Sequence, residues 1–332
     1  MAEFVAILLF SFGLFFVVKG GGILVESAMS LNKITRLSNV VIGATVVAIA
    51  TTIPEIVISI FAVLTNHTEL ATGNTIGGMV VNFALVFGLF ALFMPRAVEK
   101  RDVLVKGAFI IFVLFLIALF LMDLQIVLWE SLVLIGVFFV YLAVSIGGWG
   151  FKRRTSSNDF RKQLPLESVG LSVLTRKRIK RQVILGLIGG QILLVAGAFL
   201  LVNNGERLAS AIGASETFIG FVLLALGTSA PELVTVIVSI RRKKGDIALG
   251  NILGSNIING TLLLGVTGLI GVGASGSLVV SSGTLFVGLP ALALVSLICI
   301  LPMALKNRIY RWQGVALSAV YITYIVLLAV VV

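Results

Sequence analysis

The chain has 332 residues, of which 59% are hydrophobic and only 12% are charged. A soluble domain needs about 25% charged residues to cover its surface, so this composition excludes an ordinary soluble protein and predicts an integral membrane protein in a lipid bilayer. The formal net charge is +11, but no basic stretch is accompanied by a soluble domain, and basic membrane proteins carry Lys and Arg in cytoplasmic loops. We therefore expect no nucleic-acid partner.

Apolar runs that could cross the bilayer, which takes about 20 residues in a helix, recur ten times along the chain. In the first half these runs are 4–18, 40–64, 71–94, 105–122 and 126–148. In the second half they are 183–203, 217–240, 246–270, 280–304 and 312–332. The first run follows an acidic residue, Glu3, rather than the basic leader of a secretory signal, so we interpret it as a retained span. It is expected to continue past its glycines toward Val25 as a long tilted helix.

The basic residues are divided unequally between the two sides that ten spans create. The one long polar connection, 149–182, holds ten Lys and Arg residues, and we place it in the cytoplasm. Alternation through the spans then puts 24 of the 25 Lys and Arg residues on the cytoplasmic side and leaves only Arg207 outside. This asymmetry predicts a cytoplasmic central loop and extracytoplasmic termini. The expected location is the plasma membrane.

An internal repeat appears when the sequence is shifted by 177 positions. Residues 42–82 then align without a gap on residues 219–259, with 13 of the 41 positions identical. The identities include residue types that chance similarity between apolar helices does not match: Thr51/Thr228, Pro54/Pro231, Glu55/Glu232, Gly73/Gly250, Asn74/Asn251, Gly77/Gly254 and Asn82/Asn259. Each copy holds five spans, an odd number, so the second copy should lie upside down relative to the first.

The predicted fold is therefore an all-α polytopic membrane protein with ten transmembrane helices arranged as two inverted five-helix repeats. The first repeat comprises 1–148, with its core at 40–94, and the second comprises 183–332, with its core at 217–270. The basic cytoplasmic loop 149–182 joins them. Inverted repeats with a substrate site near the midplane are typical of secondary transporters.

Two acids lie deep inside predicted spans. Glu55 and Glu232 each occupy the sixteenth position of their spans, 40–64 and 217–240, which contain no other acid. A carboxylate at membrane depth costs several kcal/mol unless it is compensated, and all basic residues fall in loops or at span ends. The two acids of inverted repeats should face each other, and their joint charge of −2 suits one divalent cation.

Hydroxyls and a proline precede each glutamate. Thr51 and Thr52 stand before Pro54, and Thr228 and Ser229 stand before Pro231. Proline removes a backbone N–H and crowds the preceding turn, so nearby carbonyls, from Ala48 and from Ala225 onward, can be left free. Ca²⁺ takes about six to eight oxygen ligands, and these groups supply oxygens of that kind. An ordinary proline kink, with Thr bonded back to its own helix, would explain one such helix, but it explains a matched pair less well.

The segments GNTIGG and GNILGSN open the next span of each repeat. Their glycines form small-xxx-small faces, which commonly serve helix packing alone. Amide oxygens can coordinate cations, and Asn82 and Asn259 are the best further candidates as ligands, together with Ser255.

These paired motifs resemble those of the sodium/calcium exchanger family. ATTIPE with GNTIGGMVVN, and GTSAPE with GNILGSNIIN, correspond to the G-T-S-x-P-E and G-N-x-x-G-S-N signatures of its two α-repeats. The resemblance implies that Glu55 and Glu232 are central ligands for Ca²⁺ and the counter-ion. The other implied ligands are the hydroxyls and carbonyls of Thr51 and Thr228, the carbonyls of Ala48 and Ala225, and Ser255, Asn82 and Asn259. It also implies alternating access, with the first and sixth helices sliding past an eight-helix core.

Two departures from that pattern affect the counter-ion. Gly78 stands where the family usually has Ser, and Asn259 stands where some members have Asp. Two carboxylates rather than three suit proton coupling, but the calcium/proton exchangers have a different G-N-x-x-E motif. The sequence therefore favours Na⁺ over H⁺ as the counter-ion.

Other classes of protein fit less well. A cation channel with the same ligands stays open as a remote alternative. An organic-solute transporter tends to have an aromatic lining, and an ATP-driven pump needs a phosphate-binding loop that this sequence lacks. We expect no enzymatic activity, no cofactor, and a monomer as the functional unit.

Overall fold

A computed structural model describes residues 2–34, 37–148, 173–211 and 225–331. These residues are mostly helical. The helices are α1 (Ala2–Ile34), α2 (Asn39–Leu64), α3 (Thr68–Phe93), α4 (Lys100–Phe120), α5 (Leu128–Ala143, continued by Val144–Gly148), α6 (Val173–Ala211), α7 (Ala225–Thr228 and Ala230–Arg241), α8 (Gly245–Ser275), α9 (Thr284–Lys306) and α10 (Arg311–Val331). Two short strands, β1 (Gln125–Ile126) and β2 (Leu278–Val279), pair antiparallel.

The predicted spans and the observed helices agree closely. Among the described residues, nine helices are long and apolar enough to cross a membrane. The remaining predicted span, 217–240, is described only from residue 225, where α7 begins. The polytopic all-α fold predicted from the sequence is confirmed.

Two helices are longer than the apolar runs from which they were predicted. Helix α1 continues to Ile34 rather than ending near Val25, and α6 begins at Val173, inside the stretch predicted as loop. The 33 residues of α1 correspond to about 50 Å, well beyond the ~30 Å hydrocarbon core. Arg and Lys are good helix formers, so a basic segment can extend a transmembrane helix beyond the membrane. The rest of the predicted loop, 149–172, lies outside the described residues.

Helices α3 and α8 lie at the centre of the fold. Their apolar windows are 78% and 61% buried, against 28% for α1, α6 and α10. Large side chains of α3, including Phe83, Phe87 and Phe90, fill the core between α8, α9 and α10. The peripheral helices expose apolar side chains such as Phe115 and Phe286, as expected for a surface in contact with lipid.

Helices α1 and α6 pack along a glycine seam that we define by Gly13, Gly20, Gly190 and Gly197. A Cβ on Gly13 would lie 2.9 Å from the Gly197 carbonyl oxygen, and one on Gly20 would lie 2.8 Å from that of Gly190. The 177-residue shift aligns Gly13 with Gly190 and Gly20 with Gly197, so it converts each of the two contacts into the other. The helices therefore run antiparallel and are related by a local two-fold axis.

Contacts between loops show the same reciprocity. The connection between α3 and α4 meets that between α9 and α10, where Val98 N–H donates to the Asn307 carbonyl at 2.9 Å. The connection between α4 and α5 meets that between α8 and α9 through the β1–β2 pair. These two loop pairs are equivalent when the halves are exchanged. Arg96, beyond the end of α3, also pairs with Asp246 at the start of α8 at 2.7 Å, so these equivalent helices are antiparallel.

Candidate ion-binding centre

The two predicted acids face each other in the interior of the protein. Glu55 of α2 and Glu232 of α7 are both 0% exposed. Their carboxyl groups are close enough to interact directly. None of their four oxygens has a hydrogen-bond partner of normal geometry. Because isolated buried carboxylates are costly, the pair needs a proton or a cation to compensate its charge.

Further polar side chains with unpartnered atoms belong to the same predicted set. They share complete or nearly complete burial and a side-chain oxygen without a hydrogen-bond partner: Thr52, Asn82, Ser229 and Asn259. An unsatisfied buried polar group costs about 1–3 kcal/mol. Such groups are rare in proteins and call for an explanation, of which a bound ion is one. These four residues and the two glutamates were all predicted as ligands from the sequence.

The hydroxyls of Thr51 and Thr228 tie the two repeats together. Thr51 donates to Asn251 Oδ1 at 3.2 Å, and Thr228 donates to Asn74 Oδ1 at 3.1 Å. The contacts are again reciprocal under the 177-residue shift. Each repeat thus supplies the threonine for one bond and the asparagine for the other, which holds α2 on α8 and α7 on α3.

Asn74 and Asn251 were singled out in the sequence but not placed among the ligands. The structure gives them a definite positioning role. Asn74 also donates to Ser59 Oγ at 2.9 Å, which fixes the orientation of its amide. Their identity in both repeats was the only signal for this role, since a contact across 200 residues of sequence cannot be read from spacing.

The two asparagines that the sequence predicts as ligands lie at irregular turns of their helices. Asn82 and Asn259 are the first residues of π-helical turns, Asn82–Phe87 in α3 and Asn259–Leu263 in α8. A π-helical turn interrupts the regular i→i+4 bonding and is frequent at functional sites. Both turns begin at equivalent positions of the repeats, so they belong to the repeated design.

The prolines act differently in the two repeats. Pro54 lies inside the continuous helical segment Ala48–Leu64, whereas α7 is interrupted at Ser229, two residues before Pro231. The Ala48 carbonyl accepts a hydrogen bond from Thr51 at 3.3 Å, so it is partly engaged. Ala225 is the first described residue of α7, and its side chain is outside the described part.

Ser255 and Gly78 occupy equivalent positions with different consequences. Ser255 is buried and donates to the Asn251 carbonyl at 2.8 Å, so its hydroxyl is directed back along its own helix. A Cβ on Gly78 would lie 3.7 Å from both Asn259 Nδ2 and Ser229 Oγ, an ordinary contact distance. A side chain at position 78 would therefore fit and would reach the predicted ligands.

A second backbone feature, which sequence reasoning missed, lies at the start of α2. The π-helical turn Gly43–Val47 precedes Ala48, and the buried Tyr141 hydroxyl of α5 donates to the Ala44 carbonyl at 2.7 Å. This bond satisfies a carbonyl of the irregular turn and links α5 to the ligand-bearing helix. Only the presence of a polar aromatic residue in an apolar span hinted at it.

Glycines let the ligand-bearing helices approach closely. Any Cβ on Gly250 would overlap the Val40 carbonyl, and one on Gly254 would lie 2.5 Å from that of Ala44. The small-xxx-small face predicted for α8 thus packs against α2, as such faces commonly do.

Among the described residues, no third His, Cys, Asp or Glu joins the two glutamates in a metal-binding group.

The fold and this centre define a polytopic helical membrane protein with two facing carboxylates in a buried, oxygen-lined core. The family model described as "Sodium/calcium exchanger protein" matches residues 5–147 and 182–330. The chain therefore belongs to the sodium/calcium exchanger family.

Individual relatives match over nearly their full length. The chain is 31% identical to the sodium/calcium exchanger MaX1 of Methanosarcina acetivorans over 95% of this chain and 96% of the relative. It is 32% identical to an uncharacterized membrane protein of Methanocaldococcus jannaschii over 94% of both chains. A solved structure of the sodium-calcium exchanger NCX_Mj, soaked with Na⁺ and Sr²⁺, superimposes with a TM-score of 0.78 at 29% identity, covering 98% of this chain and 99% of that one.

Proposed function

We propose that this protein is a secondary antiporter that exchanges Ca²⁺ for Na⁺ by alternating access. The observation that carries the proposal is the buried pair Glu55 and Glu232, surrounded by polar side chains whose oxygens have no other partner. Membership of the sodium/calcium exchanger family supports the same assignment.

The charge and chemistry of the centre favour a divalent, hard cation. Two ionised glutamates supply −2, which one Ca²⁺ neutralises. Ca²⁺ takes about six to eight oxygens from carboxylates, carbonyls and amides. The unpartnered oxygens of Thr52, Asn82, Ser229 and Asn259 add to the four carboxylate oxygens and give a donor set of that size.

The counter-ion would use the same oxygens when Ca²⁺ leaves. We propose Na⁺, because its hard-oxygen preference matches Ca²⁺ and because both Thr-x-x-Pro-Glu motifs are present. Proton coupling is the alternative, since two facing carboxyls could release Ca²⁺ by taking up protons. The absence of a third acid beside them in the described part of the chain is the observation that favours it.

Alternating access is supported by the enclosure of the centre and by the α1–α6 seam. Every proposed ligand side chain that the structure describes is buried, so an ion can enter only if helices move. The glycine seam brings two backbones together at positions that carry no side chain of their own. Such an interface offers little resistance to sliding, which suits α1 and α6 as the moving elements.

The proposed setting is the plasma membrane, with the loop 149–182 in the cytoplasm and both termini outside. The ion pairs Arg96–Asp246 and Arg242–Glu26 each join two segments that this orientation places on the cytoplasmic side. We propose that one chain suffices for function, because the whole centre is built from one copy.

Purified protein reconstituted into vesicles tests the function. An outward Na⁺ gradient at fixed pH should drive Ca²⁺ uptake, and a collapsed pH gradient should change uptake little. Uptake that follows the pH gradient and ignores Na⁺ would replace Na⁺ by H⁺. Ca²⁺ uptake that depends on neither gradient would refute the exchanger assignment and favour a cation channel.

A further inference from the structure

Two hydroxyls of α7 differ from most other buried hydroxyls in the described part of the chain, a property that Ser296 of α9 shares. Thr45, Thr75 and Thr267, for example, each donate to a carbonyl one turn back in their own helix. This is a common way for a hydroxyl to be satisfied inside a helix. Thr235 and Ser239 are completely buried, and neither hydroxyl oxygen has a partner. They therefore resemble the unpartnered groups of the ion-binding centre.

Their positions continue the centre along one face of α7. Thr235 lies three residues after Glu232, and Ser239 lies four residues further, a spacing that keeps side chains on one face of an α-helix. The row is about 10 Å long at 1.5 Å per residue and leads toward Arg241, where α7 ends. The equivalent positions of the first repeat are the apolar Ile58 and Ala62, so the other half of the protein lacks this row.

Helix α1 packs against α7 beside this row, on the side of Val234. A Cβ on Gly21 would lie 2.8 Å from Val234 Cγ1 and 3.7 Å from the Thr235 backbone nitrogen. At the end of the row, Glu26 of α1 forms an ion pair with Arg242, which directly follows α7. The row therefore ends beside a charged contact between α1 and the end of α7.

We propose that Glu232, Thr235 and Ser239 form a transit site for a partly dehydrated metal cation between the centre and the end of α7. The cations would be the hard ones that the centre carries, Ca²⁺ and its monovalent counter-ion. Neutral hydroxyls replace part of a hydration shell without holding the ion firmly, and conduction needs binding that is strong enough for entry and weak enough for exit. This inference rests on the proposed function.

The test separates the rate of transport from binding at the centre. The variant Thr235→Val with Ser239→Ala removes both hydroxyls and nearly preserves side-chain shape. We expect it to slow Ca²⁺ flux into vesicles about tenfold, while equilibrium binding of radiolabelled Ca²⁺ to the purified protein changes by less than about twofold. Thr267→Val is the matched control, a buried threonine outside the row, and should leave both quantities unchanged. The single variant Thr235→Ser, with Ser239 unchanged, keeps both hydroxyls and should retain the wild-type rate.

Three results would overturn the inference. Unchanged flux in the double variant would show that the hydroxyls are not used. An equal loss of Ca²⁺ flux and Ca²⁺ binding would show that the two hydroxyls stabilise the centre and do not act in transit. A Thr235→Ser variant as slow as the double variant would mean that side-chain shape, and not the hydroxyl, matters. Flux is measurable whether or not it needs a counter-ion, so failure of the exchanger assignment in the wild type stays distinguishable from failure of the transit site.

Discussion

At the residue scale, the centre consists of buried polar side chains whose atoms have no hydrogen-bond partner in the protein. Glu55 and Glu232 are buried against each other, and Asn82 and Asn259 keep both ends of their amides unpartnered. By contrast, Thr51 and Thr228 are held by asparagines of the opposite repeat. The first group is suited to bind ions and the second to hold the binding helices in place.

Removing either central charge should abolish Ca²⁺ exchange. Glu55→Gln and Glu232→Gln each leave a charge of −1 against a divalent cation, while a neutral amide is easier to bury than a lone carboxylate. We expect normal expression and thermal unfolding but loss of Ca²⁺ uptake in vesicles. Glu69→Gln, at an exposed acid in the first turn of α3, is the control and should transport normally. Substantial exchange in either central variant would refute the two-carboxylate site.

Substitutions at positions 78 and 259 should change the Na⁺ dependence of Ca²⁺ uptake. Gly78→Ser places a hydroxyl near Asn259 and Ser229 with room for its Cβ, and Asn259→Asp adds a third carboxylate. If Na⁺ is the counter-ion, both changes should increase the Na⁺ dependence of Ca²⁺ uptake, because a hard monovalent cation gains ligands or charge. If protons are the counter-ion, Asn259→Asp should instead alter the pH profile, because coupled acids titrate as a group. Vesicle uptake measured against both gradients distinguishes these results.

At the element scale, the fold is organised by contacts that repeat after 177 residues. The glycine seam of α1 and α6, the threonine–asparagine bonds, and the π-helical turns at Asn82 and Asn259 all occur in matched pairs. Each pair is reciprocal, as expected for two halves that are related by a two-fold axis and whose equivalent helices run antiparallel. This is the arrangement that an inverted repeat requires.

The seam predicts different effects for two neighbouring glycines of α6. A Cβ on Gly190 would lie 3.0 Å from the Gly20 carbonyl oxygen, whereas one on Gly189 would meet nothing within 4 Å. Gly190→Ala should therefore destabilise the protein by about 1–3 kcal/mol, as overpacking does, and should slow exchange. Gly189→Ala should leave thermal unfolding and uptake unchanged. Equal effects of the two substitutions would show that the seam does not limit packing or movement.

The candidate ligands could be proposed from the sequence, whereas the contacts that position them are visible only in the structure. Glu55, Glu232 and their proline motifs stood out because acids are rare in spans and because the repeat duplicates them. The π-helical turns have no composition signature, and the bond from Thr51 to Asn251 joins residues 200 positions apart. The seam did leave a signal, two glycines seven residues apart in each repeat, but in spans outside the aligned segments. The extension of α6 to Val173 was missed because a basic segment is equally compatible with helix and loop.

At the scale of the whole molecule, the loop contacts sort the connections into two ends. Segments 96–98, 245–246 and 307–309 meet at one end, and segments 124–126 and 278–280 meet at the other. Each group contains only segments that the distribution of Lys and Arg assigns to one side of the membrane. This grouping is the one that the predicted alternation of spans requires, and the assignment of one end to the cytoplasm stays a prediction.

Cysteine labelling tests that orientation independently of transport. In a Cys299→Ala background, cysteines at positions 160 and 243 should react with an impermeant reagent only from the cytoplasmic side. Cysteines at positions 67 and 275 should react only from outside. Labelling of positions 67 and 243 from the same side would refute the inversion of the repeats.

Competition between Ca²⁺ and Na⁺ for the purified protein tests the central claim most directly. Titration of radiolabelled Ca²⁺ should give one bound ion per chain, displaced in full by Na⁺ and lost when both glutamates are replaced by glutamine. Ca²⁺ that stays bound at saturating Na⁺, or that binds the double glutamine variant as tightly as the wild type, would contradict a shared centre at Glu55 and Glu232.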